Sequence, residues 1–340
     1  MTYLTALLVM LSVLFNADYI KKPVIKQVFN EPGISYDLYR PADSSDENGK
    51  AIFLLHGMIE AGKNDPELVN FAEILSKTGF VVFVPLNKGL SQFQIGHDEV
   101  GEARGALQRF NELFPDKRKG VMSFCYSNGV LAAACESDEK LLKKVDFFIF
   151  WGSYSSLLDM TLFNLAGYYK AGDKLMYSEP DAVVKGHYLA QKYWYLPYPS
   201  GRRERILKAV IKGDPSGLSA AEIKTFRFLR NIDYIKFDKY YSELPGYCRE
   251  WVEYMAVDKR IKNIKARTIF IHNYFDSLVP YNESEKLFAL SGASDKKIYM
   301  PAAFQHFNRI SAEAFGRISL VKRLKAFIVY YFFTQSVLSA

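Results

Sequence analysis

Cysteine is scarce in this chain, with three among 340 residues, at positions 125, 135 and 248. Scattered in this way they form neither a disulfide framework nor a zinc-ligand spacing, which is consistent with a reducing compartment. Histidine is nearly as rare, with five. No RNP-like, zinc-finger or helix-turn-helix signature is present, so nucleic acid is not an expected partner although the formal net charge is +7. That charge favours acidic surfaces such as anionic lipid head groups. A long hydrophobic run is also missing. Thr2 to Ala17 carries no charge, but as a helix its ~16 residues would reach ~24 Å against a ~30 Å hydrocarbon core. The basic n-region of a secretory signal is absent, and Lys21, Lys22 and Lys26 follow the apolar run instead. By the positive-inside rule that order leaves the body of the protein on the cytoplasmic side. Residues 1–20 therefore read as a segment that associates with a membrane, with a cleaved signal or an amphipathic or buried segment as the alternatives.

An apolar content of 49% in 340 residues is enough to build one large α/β domain carrying an insertion. Val24 to Phe29 and Ile34 to Tyr39 read as opening antiparallel strands, and a polar turn, Pro41 to Gly49, leads into the apolar run AIFLL at Ala51 to Leu55. Pro66 to Lys77 has helical spacing with proline in its first turn, and Gly79 closes it. Phe80 to Val84 reads as a strand, Asp98 to Phe114 as a longer helix and Val145 to Trp151 as another strand. Strands alternating with helices predict a mostly parallel sheet covered on both faces, with function at the strands' carboxyl ends. Between Ser153 and Asn263 the alternation gives way to a run of helices broken by Gly and Pro and dense in Tyr and Trp. Leu320 to Phe333 reads as the closing helix of the core.

The most informative stretch is Lys119 to Ala134, KGVMSFCYSNGVLAAA, a short apolar strand, a tight turn and a helix of small residues. This is how a nucleophile is raised on a sharp strand-to-helix turn, which tolerates only small residues two positions to either side. Two registers satisfy the rule. In Ser123-x-Cys125-x-Ser127 the nucleophile is Cys125, and in Cys125-x-Ser127-x-Gly129 it is Ser127. The plainer reading is a buried strand ending in an ordinary Cys and Ser.

Three other segments weigh against that plainer reading. AIFLLHG ends in His56 and Gly57, where backbone N–H groups of Met58 and of the residue after the nucleophile, Tyr126 for Cys125, would form an oxyanion hole. The side chain of His56 is expected only to prop that loop. RTIFIHNYFDSLVP places Asp276 in a polar turn after a short strand, where a carboxylate can orient a histidine. Its plainer role is an Asx turn capping the helix that begins near Asn282, and Asp159 is a weaker competitor for the acid. KKIYMPAAFQHFN then carries His306 in a loop, last in the order nucleophile, acid, histidine.

With these segments in order the chain resembles an α/β-hydrolase, and more narrowly a bacterial subset of uncharacterised, often N-terminally anchored members. LLHGMIEAGKNDPELVNFAEILSKTGFVVFVP, VMSFCYSNG, WGSYSSLLD and IHNYFDSLVPYNESEKL carry the resemblance. It implies Cys125 at the family's nucleophilic serine, Asp276 at its acid and His306 at its histidine. Ser123 and Asn128 stand where the elbow has glycines. Dienelactone-hydrolase-like members use a cysteine nucleophile, whereas CYSNG resembles the GYSNG elbow of other esterases and would make Ser127 the nucleophile.

The expected organisation is a hydrolase core over residues 21–152 and 264–340, a helical lid over 153–263 and the N-terminal segment 1–20. The expected activity is cleavage of an ester or thioester of an apolar or acyl substrate through an acyl-enzyme, with no metal and no organic cofactor. A small-molecule acyl substrate is the expected partner and a membrane surface a second one. A non-catalytic lipid- or partner-binding protein on the same fold, or an acyltransferase with the same triad, are the alternatives.

Overall fold

The computed structural model describes residues 3–15, 18–178, 198–231, 233–302, 304–305, 308–309 and 320–340. Helix α1 (Tyr3–Phe15) is followed by an antiparallel pair, β1 (Val24–Glu31) and β2 (Ile34–Pro41), turned at Gly33 with φ +81°. Then come β3 (Lys50–Leu55), α2 (Pro66–Lys77), β4 (Val81–Pro85), α3 (Lys88–Ser91), α4 (His97–Leu113), β5 (Arg118–Phe124), α5 (Ser127–Glu136), α6 (Glu139–Lys143), β6 (Phe147–Trp151) and α7 (Leu157–Ala166). A hairpin of β7 (Tyr168–Ala171) and β8 (Lys174–Tyr177) follows, and the main sheet is completed by β9 (Arg267–Ile271) and β10 (Lys296–Tyr299). Its order is β1-β2-β4-β3-β5-β6-β9-β10. Only β2 runs against the others, so the sheet is mostly parallel.

Burial on both faces explains why the strands are nearly continuous apolar runs. Side chains alternate along each strand, and the sequence obeys that period of two. Phe53, Phe83, Val121, Phe148, Phe150 and Phe270 pack on one face with α4 and α5. Ile52, Leu54, Val82, Met122, Ile149 and Ile271 pack on the other, against α2, α1 and the C-terminal helix Leu320–Ser339. Helix α2 begins where its signals say. Asp65 accepts a hydrogen bond from the Leu68 N–H (3.0 Å), and Pro66 takes the first turn, where its missing N–H is not needed. Lys63, just ahead, pairs with the fully buried Asp37, whose other oxygen lies 2.7 Å from Lys26 Nζ. The GKNDP block thus anchors the loop after β3 to the β1–β2 edge.

One feature departs from expectation. The expected run of helices after Ser153 is interrupted by the β7–β8 hairpin, because Gly172 at φ +60° with Asp173 makes a two-residue turn between aromatic, strand-forming pairs. Among the described residues the helices Ser200–Lys212, Ala220–Leu229, Tyr234–Glu243, Gly246–Tyr254 and Asp258–Ile261 follow it. Leu162, Ile206, Phe226, Phe237 and Cys248 share a cluster of their own, while Trp251, Met255 and Ile261 return to the main core. Residues 1–20 hold a helix that lies on the body. Ala6, Val9 and Met10 of α1 are buried with Phe71, Tyr330 and Phe333. No helix among the described residues is long and apolar enough to cross a membrane.

Candidate active site

The sheet order brings the chemistry-bearing loops together. β3, β5, β6 and β9 are neighbours and parallel, so Gly57, Cys125 and the Asp276 turn all emerge at one carboxyl edge. The loop after β10 leaves that same edge. His306 lies outside the described residues, as do Tyr188, Tyr193, Trp194 and Tyr195 of the insertion.

Cys125 has φ +55°, in the left-handed region that L-residues rarely adopt. A non-glycine residue held there costs on the order of 1–3 kcal/mol and persists only where its surroundings fix it. Here they do. The Cys125 N–H donates to the Trp151 carbonyl (2.9 Å), which extends the β5–β6 ladder into the turn, and its carbonyl accepts from the Asn128 N–H (3.2 Å). The side chain is half-buried. A Cβ on Gly57 would lie 3.7 Å from that of Cys125 and 3.4 Å from the Phe124 carbonyl, so the loop after β3 runs directly beside the thiol. Cys135 and Cys248 differ from it in kind. Both are buried, and burial pushes their thiols up to about 12.

Ser127 is fully buried. Its hydroxyl donates to the Phe124 carbonyl (2.7 Å) and accepts from the Phe124 N–H (3.0 Å), closing the turn from inside. Tyr126 is the residue that caps the start of α5. Its ring is buried against Tyr154 at 5.4 Å, and its hydroxyl accepts from Asn164 Nδ2 (2.9 Å). Met58 is half-buried beside the core.

His56 is almost wholly buried, and both ring nitrogens are engaged by backbone. Nδ1 donates to the Gly57 carbonyl (2.7 Å) and Nε2 accepts from the Asn87 N–H (3.1 Å). That pairing requires the neutral ring, and burial lowers its pKa from 6.5 to about 4. The loop that carries Gly57 and Met58 is thus propped by a histidine that is held neutral well below its usual range. Above pH 6.5 the ring is neutral in both folded and unfolded chains and its contribution is fully present. As pH falls from 6.5 toward 4 only the unfolded chain gains the proton, so about 3 kcal/mol of stability is lost across that window. Thermal unfolding followed from pH 7 to pH 4 is expected to show a shallower loss for His56→Gln, which keeps one donor and one acceptor. Equal slopes for the two proteins would refute this role.

The side chain of Asp276 is buried, and Oδ1 accepts from the N–H groups of Leu278 (2.8 Å) and Val279 (2.9 Å). This is the geometry of an Asx turn, although the next helix begins six residues on, at Asn282. Oδ2 lies 3.4 Å from Nε2 of His272, a residue that sequence reasoning passed over. His272 is fully buried, with Nε2 donating to the Val279 carbonyl (2.9 Å) and Nδ1 against Ser284 Oγ (2.7 Å). It ties the Asp276 turn to the helix behind it. The signal was its place at the end of a strand, four residues before the acid. Asp159 is paired with Lys286 (2.9 Å), which also holds the buried Glu283, itself the acceptor for the Ser155 N–H (2.9 Å). That network joins α7 to the helix Asn282–Leu290. Among the described residues no group of three or more His, Cys, Asp or Glu side chains could hold a metal ion.

No family model and no curated protein matches this sequence. Solved structures do match in three dimensions. Est1E from Butyrivibrio proteoclasticus superimposes with a TM-score of 0.50 at 9% identity, over 92% of this chain and 98% of that one. The uncomplexed acylaminoacyl peptidase of Pyrococcus horikoshii superimposes with a TM-score of 0.51 at 12% identity, over 96% of this chain. This chain covers 43% of the length of that peptidase. At such identities the likeness shows the fold, which is that of the α/β-hydrolases.

Proposed function

We propose that this α/β-hydrolase-fold chain is an enzyme that cleaves an ester or thioester of an apolar acyl group through a covalent acyl-enzyme, with Cys125 as nucleophile. The observation that carries the proposal is the φ of +55° at Cys125, because a strained left-handed backbone at a thiol on a strand-to-helix turn is the way this kind of turn presents a nucleophile. The elbow register with Ser127 is disfavoured by the burial of that hydroxyl and its two short bonds to Phe124. In the proposed reaction the Cys125 thiol gives its proton to His306 as sulfur attacks the carbonyl carbon, and Asp276 holds His306 in the required tautomer. The tetrahedral oxyanion is held by the backbone N–H groups of Tyr126 and Met58 beside Gly57. Collapse expels the leaving group with the proton returned by His306, and water then cleaves the acyl-enzyme by the same steps. The helices and hairpin of residues 153–263 serve as a lid over the acyl chain. Rapid mixing with p-nitrophenyl butyrate is expected to give a burst of nitrophenolate equal to the enzyme present, followed by slower turnover. Absence of turnover above buffer, with this ester and with an acyl thioester, would contradict the proposal.

The same reading assigns the outer face of α1 and of the C-terminal helix to a membrane surface. Tyr3, Leu4, Leu7 and Phe15 are exposed on α1, and Val321, Leu324, Ile328 and Phe332 on the C-terminal helix. The last four recur at helical spacing on one side. Such side chains expose on the order of 100 Å² each, so together they exceed the few hundred Å² usual for a surface patch. Neither helix contains Asp or Glu, and Arg323 and Lys325 stand in the first turns of the second, which suits anionic head groups. Cosedimentation with mixed phosphatidylcholine and phosphatidylserine vesicles is expected, and Leu4→Asp with Ile328→Asp is expected to abolish it. Undiminished sedimentation of that double variant would exclude this face.

A further inference from the structure

The two residues that replace elbow glycines, Ser123 and Asn128, are bonded to each other. Ser123 Oγ donates to Asn128 Oδ1 (2.7 Å), and both side chains are fully buried. With its oxygen held in this way, the Asn128 amide has a fixed orientation. Its Nδ2 donates to the Cys125 carbonyl (2.6 Å) and to the Trp151 carbonyl (3.1 Å), while its backbone N–H also donates to the Cys125 carbonyl (3.2 Å). The carbonyl of Cys125 and the N–H of Tyr126 belong to one planar, trans peptide group. In a trans peptide the N–H points opposite to the C=O, so whatever fixes one fixes the other.

Building on the reading of Cys125 as nucleophile, we infer that Asn128 is a positioning residue that aims the Tyr126 N–H at the developing oxyanion, with Ser123 as its anchor. Two donors from one buried residue draw the Cys125 carbonyl toward α5 and β6. The opposite edge of the same peptide is thereby turned toward the thiol side of the elbow. A glycine pair at these positions would leave the peptide plane to the backbone alone. An oxyanion donor acts only if it is aimed where charge develops, and its loss typically costs on the order of 10²–10³ in rate. A donor that is present but released from its clamp is expected to lose less, roughly tenfold to hundredfold.

The test compares two reactions of Cys125 in the full-length protein. Hydrolysis of p-nitrophenyl butyrate passes through an oxyanion, whereas alkylation by iodoacetamide forms none. For Asn128→Ala, kcat is expected to fall roughly tenfold to hundredfold with KM little changed, while the second-order rate of Cys125 alkylation stays near the wild-type value. An unchanged kcat overturns the inference. So does a parallel fall in kcat and alkylation rate, since that is what a merely structural role would give. If Asn128→Ala does not fold, Ser123→Ala carries the test: the same split is expected at smaller size, and an unchanged kcat again overturns the inference. Failure of the underlying functional reading is separately recognisable, because the wild type would then show no hydrolysis before any residue is changed, and the inference would fall with it.

Discussion

Replacing Cys125 with alanine is expected to remove turnover almost completely, by a factor on the order of 10⁴–10⁶ in kcat, while leaving the thermal midpoint close to that of the wild type. The size of the effect follows from the nucleophile and base acting as a unit, so that loss of the sulfur leaves the histidine and oxyanion donors nothing to assist. The stability side of the expectation follows from φ. Cys125 occupies a left-handed conformation at φ +55°, and alanine there bears a similar backbone cost without gaining contacts. Ser127→Ala should behave in the opposite way. It removes the buried hydroxyl that closes the turn onto Phe124, and the loss of those hydrogen bonds is expected to cost about 1–3 kcal/mol of stability. Its kcat per folded molecule is expected to change far less than that of Cys125→Ala. Steady-state kinetics with p-nitrophenyl butyrate, normalised to folded protein, separates the two. Retained turnover in Cys125→Ala together with its loss in Ser127→Ala would reverse the assignment.

Gly129→Ala is expected to be the most damaging single-methyl change in this region, lowering stability by about 3 kcal/mol or more. A Cβ at this position would sit 1.9 Å from the Tyr154 hydroxyl and 2.9 Å from the Met255 carbonyl. Tyr154 has no room to retreat, being fully buried and donating to that same carbonyl at 2.9 Å. The methyl must either break that bond, leaving a buried hydroxyl unpaired, or push α5 away from the segment after the helix Gly246–Tyr254. Thermal unfolding reads the result directly. A midpoint equal to the wild type would show that the packing of α5 against Met255 is looser than the contacts imply.

Gly129 also illustrates what was legible in the sequence and what was not. Its smallness was readable, but the demand for it comes from Tyr154 and Met255, which are distant in sequence. The small-residue rule reads only two positions to either side and leaves both registers open. Only backbone conformation and burial distinguish Cys125, strained and half-exposed, from Ser127, relaxed and sealed. Local chemistry was read well. Pro66 marks the start of α2 to the residue, and the apolar runs at Ala51–Leu55 and Val145–Trp151 supply strands of the main sheet. His56 as a prop for the loop after β3 was likewise visible from its place at a strand end. What stayed hidden depends on partners far along the chain. The burial of α1 needs Tyr330 and Phe333 from the other end of the protein. Asp159 read as a weaker competitor for the acid, and the Lys286 that pairs with it lies 127 positions further along the chain. The bond between Ser123 and Asn128 spans only five positions, yet it exists because the turn at Cys125 folds β5 back against α5.

The most direct measurement on the central claim is stoichiometric alkylation followed by peptide mapping and kinetics. With Cys135 and Cys248 buried and their thiols pushed up to about 12, iodoacetamide near neutral pH is predicted to modify Cys125 alone. One carbamidomethyl group on the peptide containing Cys125 should then abolish ester hydrolysis. Full turnover by protein alkylated at Cys125, or covalent capture of a fluorophosphonate at Ser127, would contradict the account.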